Sequence, residues 1–79
     1  MTGPAEWRRT IAANIRAERA RAGISQGDVA QQMRELGFPE WHRQTVGSTE
    51  HGRRRLGCDE AVGLARILNT DTATLLAGT

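Results

Sequence analysis

The stretch Ser25 to Gly52, SQGDVAQQMRELGFPEWHRQTVGSTEHG, holds two helix starts on either side of a Gly-Phe-Pro break. Ser25 and Asp28 have capping-box spacing, in which the Ser hydroxyl accepts from the amide of residue 28. Val29, Ala30, Met33 and Leu36 then recur at the i, i+1, i+4, i+7 positions of one buried helical face. Gly37 and Pro39 end that helix, because Pro has no N–H for the ladder and pushes its predecessor out of the α region. A second helix is predicted from near His42 to about His51, with Gly52 as the left-handed residue that closes it. With His42 as its cap, Trp41 and Val46 occupy the hydrophobic-staple positions and fix how the chain enters. Val46 is the one strongly apolar residue of this helix. It is therefore held along one edge, and Arg43, Gln44, Thr45, Gly47 and Ser48 face outward or line a groove.

On the N-terminal side, a first helix is predicted from about Glu6 or Trp7 to Ala22, where Gly23 stops it, and residues 1–6 read as a flexible arm. Ile11, Ile15 and Ala22 point inward, and Arg8, Arg9, Arg16 and Arg21 point outward. On the C-terminal side, a fourth helix starts near Cys58, with Asp59 and Glu60 complementing its dipole. It buries Ala61, Leu64, Ala65 and Leu68 and ends at Asn69. Asp71 caps a short fifth helix carrying Leu75 and Leu76.

These elements make residues 1–79 one all-α, five-helix domain. The length is too short for a large core, and an apolar content of 38% with one Phe and two Trp suits a small helical module. A single cysteine, Cys58, rules out an internal disulfide and points to a reducing, cytoplasmic setting. No apolar run is long enough to span a bilayer, so no membrane partner is expected. The 11 basic residues are all arginine, each a planar five-donor fork suited to phosphate or guanine edges.

At Gly23-Ile24-Ser25-Gln26, Val29-Ala30, Thr45-Val46 and Glu50-His51-Gly52 the chain resembles the lambda-repressor-like helix-turn-helix family, also called the Xre or Cro and repressor type. Asp59-Glu60-Ala61-Val62-Gly63-Leu64-Ala65 and Leu75-Leu76 extend the resemblance over roughly residues 8 to 78.

The resemblance implies roles for particular residues. Arg43 and Gln44, in the first turn of the third helix, and Ser48, one turn farther along, reach base edges in the major groove. Arg43 suits guanine O6 and N7, and Gln44 suits adenine N7 and its exocyclic amine. Gln26 matches a position that contacts phosphate and braces the reading helix. His42 and Thr45 donate to phosphate or pack on a thymine methyl, or else cap the helix. Arg53, Arg54 and Arg55 lie in the loop that the family sets along the DNA backbone. Arg19 and Glu50 match an ion pair that ties the first helix to the third.

The chain departs from the family pattern at Gly47, inside the reading helix, and at Thr49 and Thr72, where larger aliphatic residues are usual, which implies a thinner core. The segment Arg34 to Trp41 is long, implying an extended second helix or a loop. His42, His51 and Cys58 are too scattered for a four-ligand zinc set, so no metal or other cofactor is expected. No nucleophile with its base is visible, so no enzyme activity is expected.

The expected function is sequence-specific binding of double-stranded DNA by a transcriptional regulator, a repressor bound as a homodimer. The alternative is a protein-interaction module on the same fold, an antitoxin or docking domain. An additional C-terminal domain or a protein partner is compatible with either.

Overall fold

The computed structural model describes residues 3–79, in which five helices follow one another: α1 Pro4–Ala22, α2 Gln26–Glu35, α3 Arg43–Glu50, α4 Cys58–Ile67 and α5 Thr72–Leu75. α1 starts earlier than its apolar pattern indicates. Pro4 sits at the first helical position, where its fixed φ suits a helix and its missing N–H costs nothing. Residues 4–6 of the expected arm are therefore helical, and Met1 and Thr2 lie outside the described residues.

Ser25 Oγ accepts from the Asp28 amide at 3.0 Å and opens α2. The helix closes in a Schellman motif: the Gly37 amide reaches the Arg34 carbonyl at 3.0 Å and the Phe38 amide reaches the Met33 carbonyl at 3.1 Å, with Gly37 at φ 106. This ending corrects one core assignment. Leu36 becomes the C-terminal cap and is 50% exposed, while Phe38, past the turn, packs on the core. Residues 36 to 42 thus form a loop rather than an extension of α2. Arg34 holds that loop by donating to the Trp41 carbonyl at 2.7 Å.

The same closing motif ends α3, where Gly52 and Arg53 donate to the carbonyls of Thr49 and Ser48 at 3.2 and 2.9 Å. Gly52 is at φ 69, so this corner needs glycine for its conformation, while a Cβ there would only touch the Arg9 Cα of α1 at 3.4 Å. Asn69, at φ 55, plays the left-handed part at the end of α4.

Ile15, Val29, Ala30, Met33, Trp41, Val46, Leu64, Ala65, Leu68 and Leu75 form the core. Ile11 and Ala22 pack at its margin, and Ala12 is the other deeply buried residue of α1. α3 packs on α2 and α1, α4 on α2, and α5 on α1 and α4. Asn14 pins α5 by donating to the carbonyls of Leu75 and Ala77 at 3.0 and 2.8 Å. Leu75 is buried, whereas Leu76, Trp7 and Val62 remain largely exposed. Among the described residues no helix is long and apolar enough to cross a membrane.

Candidate nucleic-acid interface

α3 owes its position to two buried clusters, one on each side. On the first side, the Glu50 carboxylate is fully buried. Arg19 donates from Nε to Glu50 Oε2 at 2.6 Å and from Nη2 to Oε1 at 3.0 Å, and Gln26 Nε2 adds a bond to Oε1 at 3.1 Å. Arg19 Nη1 also reaches the Ile24 carbonyl at 3.0 Å, and Arg16 donates to the Glu50 carbonyl. One carboxylate thereby joins the end of α3 to α1 and to the start of α2. The hydrogen bond that Arg19 donates to Glu50 outweighs the burial of Arg19 and holds its guanidinium pKa above the ordinary value.

The second cluster was not legible in the sequence. The Trp41 indole N–H donates to Glu60 Oε2 at 2.7 Å, the Gly57 amide donates to Glu60 Oε1 at 2.8 Å, and Arg54 Nη2 donates to Oε2 at 3.2 Å. Arg54 also stacks over the Trp41 ring, 4.9 Å from its centroid. Burial alone would raise the Glu60 carboxyl pKa; the Gly57 amide, the Trp41 indole and the Arg54 guanidinium together outweigh it and hold the group below the usual carboxylate range. The one clue the sequence offers is Trp41 itself. A buried indole N–H needs an acceptor, and the Glu three residues after Gly57 supplies it.

Arg54 therefore differs from its neighbours. Expected beside Arg53 and Arg55 as a backbone contact, it is turned inward by the Trp41 face and the Glu60 charge, while Arg53 and Arg55 stay exposed. Thr45 departs in a similar way. Its hydroxyl accepts from the His42 amide at 3.1 Å and donates to the Glu40 carbonyl at 3.2 Å, so its one proton is committed to starting α3. His42 is the exposed cap residue. Thr49, in the place of a larger aliphatic residue, is buried, and its hydroxyl donates to the Thr45 carbonyl at 2.8 Å.

Val46, Thr49 and Glu50 form the buried side of α3. At about 100° per residue the opposite side carries Gln44, Gly47, Ser48 and His51, the i, i+3, i+4, i+7 set. Gln44 and His51 are exposed, and Gly47 and Ser48 half-exposed. A Cβ at Gly47 would meet open space. Arg43 lies on the flank of this stripe, where it shares a cleft of about 420 Å³ with Arg19, Ser25, Gln26 and Gly27 at the start of α2. Gln26 faces this cleft with its amide already bonded to Glu50. The structure thus gathers Arg43, Gln44 and Ser48 on one side of the molecule. It adds His51, which the sequence places at the end of the third helix and in Glu50-His51-Gly52 without a DNA role; a polar residue seven after Gln44 was the available signal. Among the described residues no group of three or more His, Cys, Asp or Glu is placed to hold a metal ion.

The arrangement resembles known proteins. The crystal structure of the DNA-binding domain of BldD superposes with a TM-score of 0.75 at 27% sequence identity, over 94% of this chain and 99% of that one. No curated protein matches the chain significantly. A family model described as a helix-turn-helix domain matches residues 10–77, and the chain belongs to that family.

Proposed function

We propose that this chain is a sequence-specific, double-stranded DNA-binding transcriptional regulator of the lambda-repressor-like type, a repressor bound to its operator as a homodimer. The observation that carries this reading is the outer stripe of α3. It offers short polar groups and a bare Gly47 to the outside, while the buried Glu50 cluster fixes the helix from behind. A smooth stripe of this kind fits the major groove, which admits one α-helix and displays a distinct donor and acceptor pattern for each base pair. The likeness to the DNA-binding domain of BldD supports it.

In this reading Arg43 donates to guanine O6 and N7, Gln44 pairs with adenine, and Ser48 contacts a base one turn along. Arg53 and Arg55 neutralise phosphates on one flank. Gln26, His42 and the methyl of Thr45 approach the backbone on the other. Arg19 and Glu50 set the tilt of the helix without touching DNA, and Arg54 supports the loop from inside.

Selection of bound sequences from a random duplex pool, followed by titration of the winner at two salt concentrations, tests the proposal. A recovered palindrome or direct repeat with a steep salt dependence is the expected result. Weak, uniform binding without enrichment would overturn it in favour of a protein-interaction module.

A further inference from the structure

We propose that His51 is a specificity-determining residue of the reading face, accepting through Nε2 from the exocyclic amine of a cytosine or an adenine. The inference rests on the DNA-binding reading above and extends it to a residue at the far end of α3. His51 is exposed and continues the stripe of Gln44, Gly47 and Ser48, opposite the buried Val46, Thr49 and Glu50.

The chemistry follows from one contact. His51 Nδ1 lies 2.7 Å from the Gly47 carbonyl oxygen. A carbonyl only accepts, so Nδ1 carries the proton. In the neutral ring Nε2 is then a bare acceptor at the opposite edge of the imidazole. The same bond holds the ring against its own helix, so its orientation is largely set before any partner arrives. Gly47 contributes again because no side chain rises beside the ring on the preceding turn, where an added Cβ would find open space. In the major groove the donors that match a fixed acceptor are the N4 amine of cytosine and the N6 amine of adenine.

Sequence selection with the wild-type chain, His51→Ala and His51→Arg tests this, with thermal unfolding run alongside to show that each variant is folded. The wild type is expected to prefer cytosine or adenine at one position beyond the one read by Gln44. His51→Ala should lose about fivefold to tenfold of discrimination at that position alone, the low end of what a side-chain contact to a base carries. His51→Arg replaces the acceptor with donors, and the preference there should move to guanine. If His51→Ala recovers the wild-type motif, with binding either unchanged or weakened equally on every duplex, His51 does not read a base and the inference is wrong. If the wild type itself yields no motif, the DNA-binding reading fails and this inference falls with it.

Discussion

Arg53, Arg54 and Arg55 carry the same charge and sit in one loop, yet their surroundings assign them different work. Arg54 contributes its planar face to Trp41 and its donors to Glu60, so its removal takes the one cationic partner from a buried carboxylate that keeps the Trp41 and Gly57 donors. Arg54→Ala is expected to lower stability by roughly 1 to 3 kcal/mol, read by chemical denaturation. Arg53→Ala and Arg55→Ala should leave the unfolding midpoint unchanged and reduce the slope of log affinity against log salt by about 1 each. Equal thermal losses for all three would contradict the inward placement of Arg54. Glu60 supplies a pH test of the same cluster. Its folded pKa is depressed below the ordinary 4.5, so its contribution is fully present above that value and is lost as pH falls through the folded pKa. Glu60→Gln should therefore cost stability at pH 7, and the gap between variant and wild type should narrow on acidification toward pH 3. A gap independent of pH would mean that the carboxylate charge is not what holds Trp41 and Arg54.

α3 is short, eight residues with a glycine in the middle, and it persists because neighbours hold it rather than because its sequence favours helix. Gly47→Ala separates stability from recognition. The added methyl enters open space and removes a helix penalty of about 1 kcal/mol, so the variant should unfold later than the wild type. On the reading above it should also bind its selected duplex less tightly, because the methyl stands where the helix meets the groove. A stabilised variant with undiminished affinity would show that α3 does not approach DNA along this stripe. How far the sequence announced this element depends on which residues are asked. The capping residues, the staple of Trp41 and Val46, the face of Val29, Ala30 and Met33 on α2 and the apolar face of α4 were legible because each is a local pattern with a fixed spacing; Leu36 was not, because α2 ends before it. The start of α1 was missed because the apolar period, which residues 3–6 lack, marks it too late, whereas Pro4, suited to the first helical position, was the signal available. The Trp41, Arg54 and Glu60 cluster was missed because its members lie in three different segments and meet only after α4 has packed on α2. Gln44 and Ser48 were legible as one outward side because Val46 marks the edge on which α3 is held, and Glu50 was legible as the partner of Arg19, whereas His51 joins that side only once α3 is seen to reach it.

At the scale of the whole molecule, the domain measures 38 × 22 × 19 Å. Half-sites read from one face of B-DNA are separated by roughly 34 to 36 Å, one helical turn. The two shorter dimensions are well below that separation, so two copies whose long axes lie across the duplex fit on adjacent half-sites without overlap. On the proposed reading, a symmetric operator would bring two copies together, with the duplex setting the distance between the two α3 helices. The selected operator should saturate at two chains per duplex in sedimentation or native mass measurements. Inserting about five base pairs between the half-sites rotates one of them by half a turn to the opposite face. If the two copies assist each other, that insertion should abolish cooperative binding while leaving each half-site's own affinity intact, and an insertion of about ten base pairs should restore part of it. Saturation at one chain per duplex would leave the base contacts standing and remove the homodimer from the proposal.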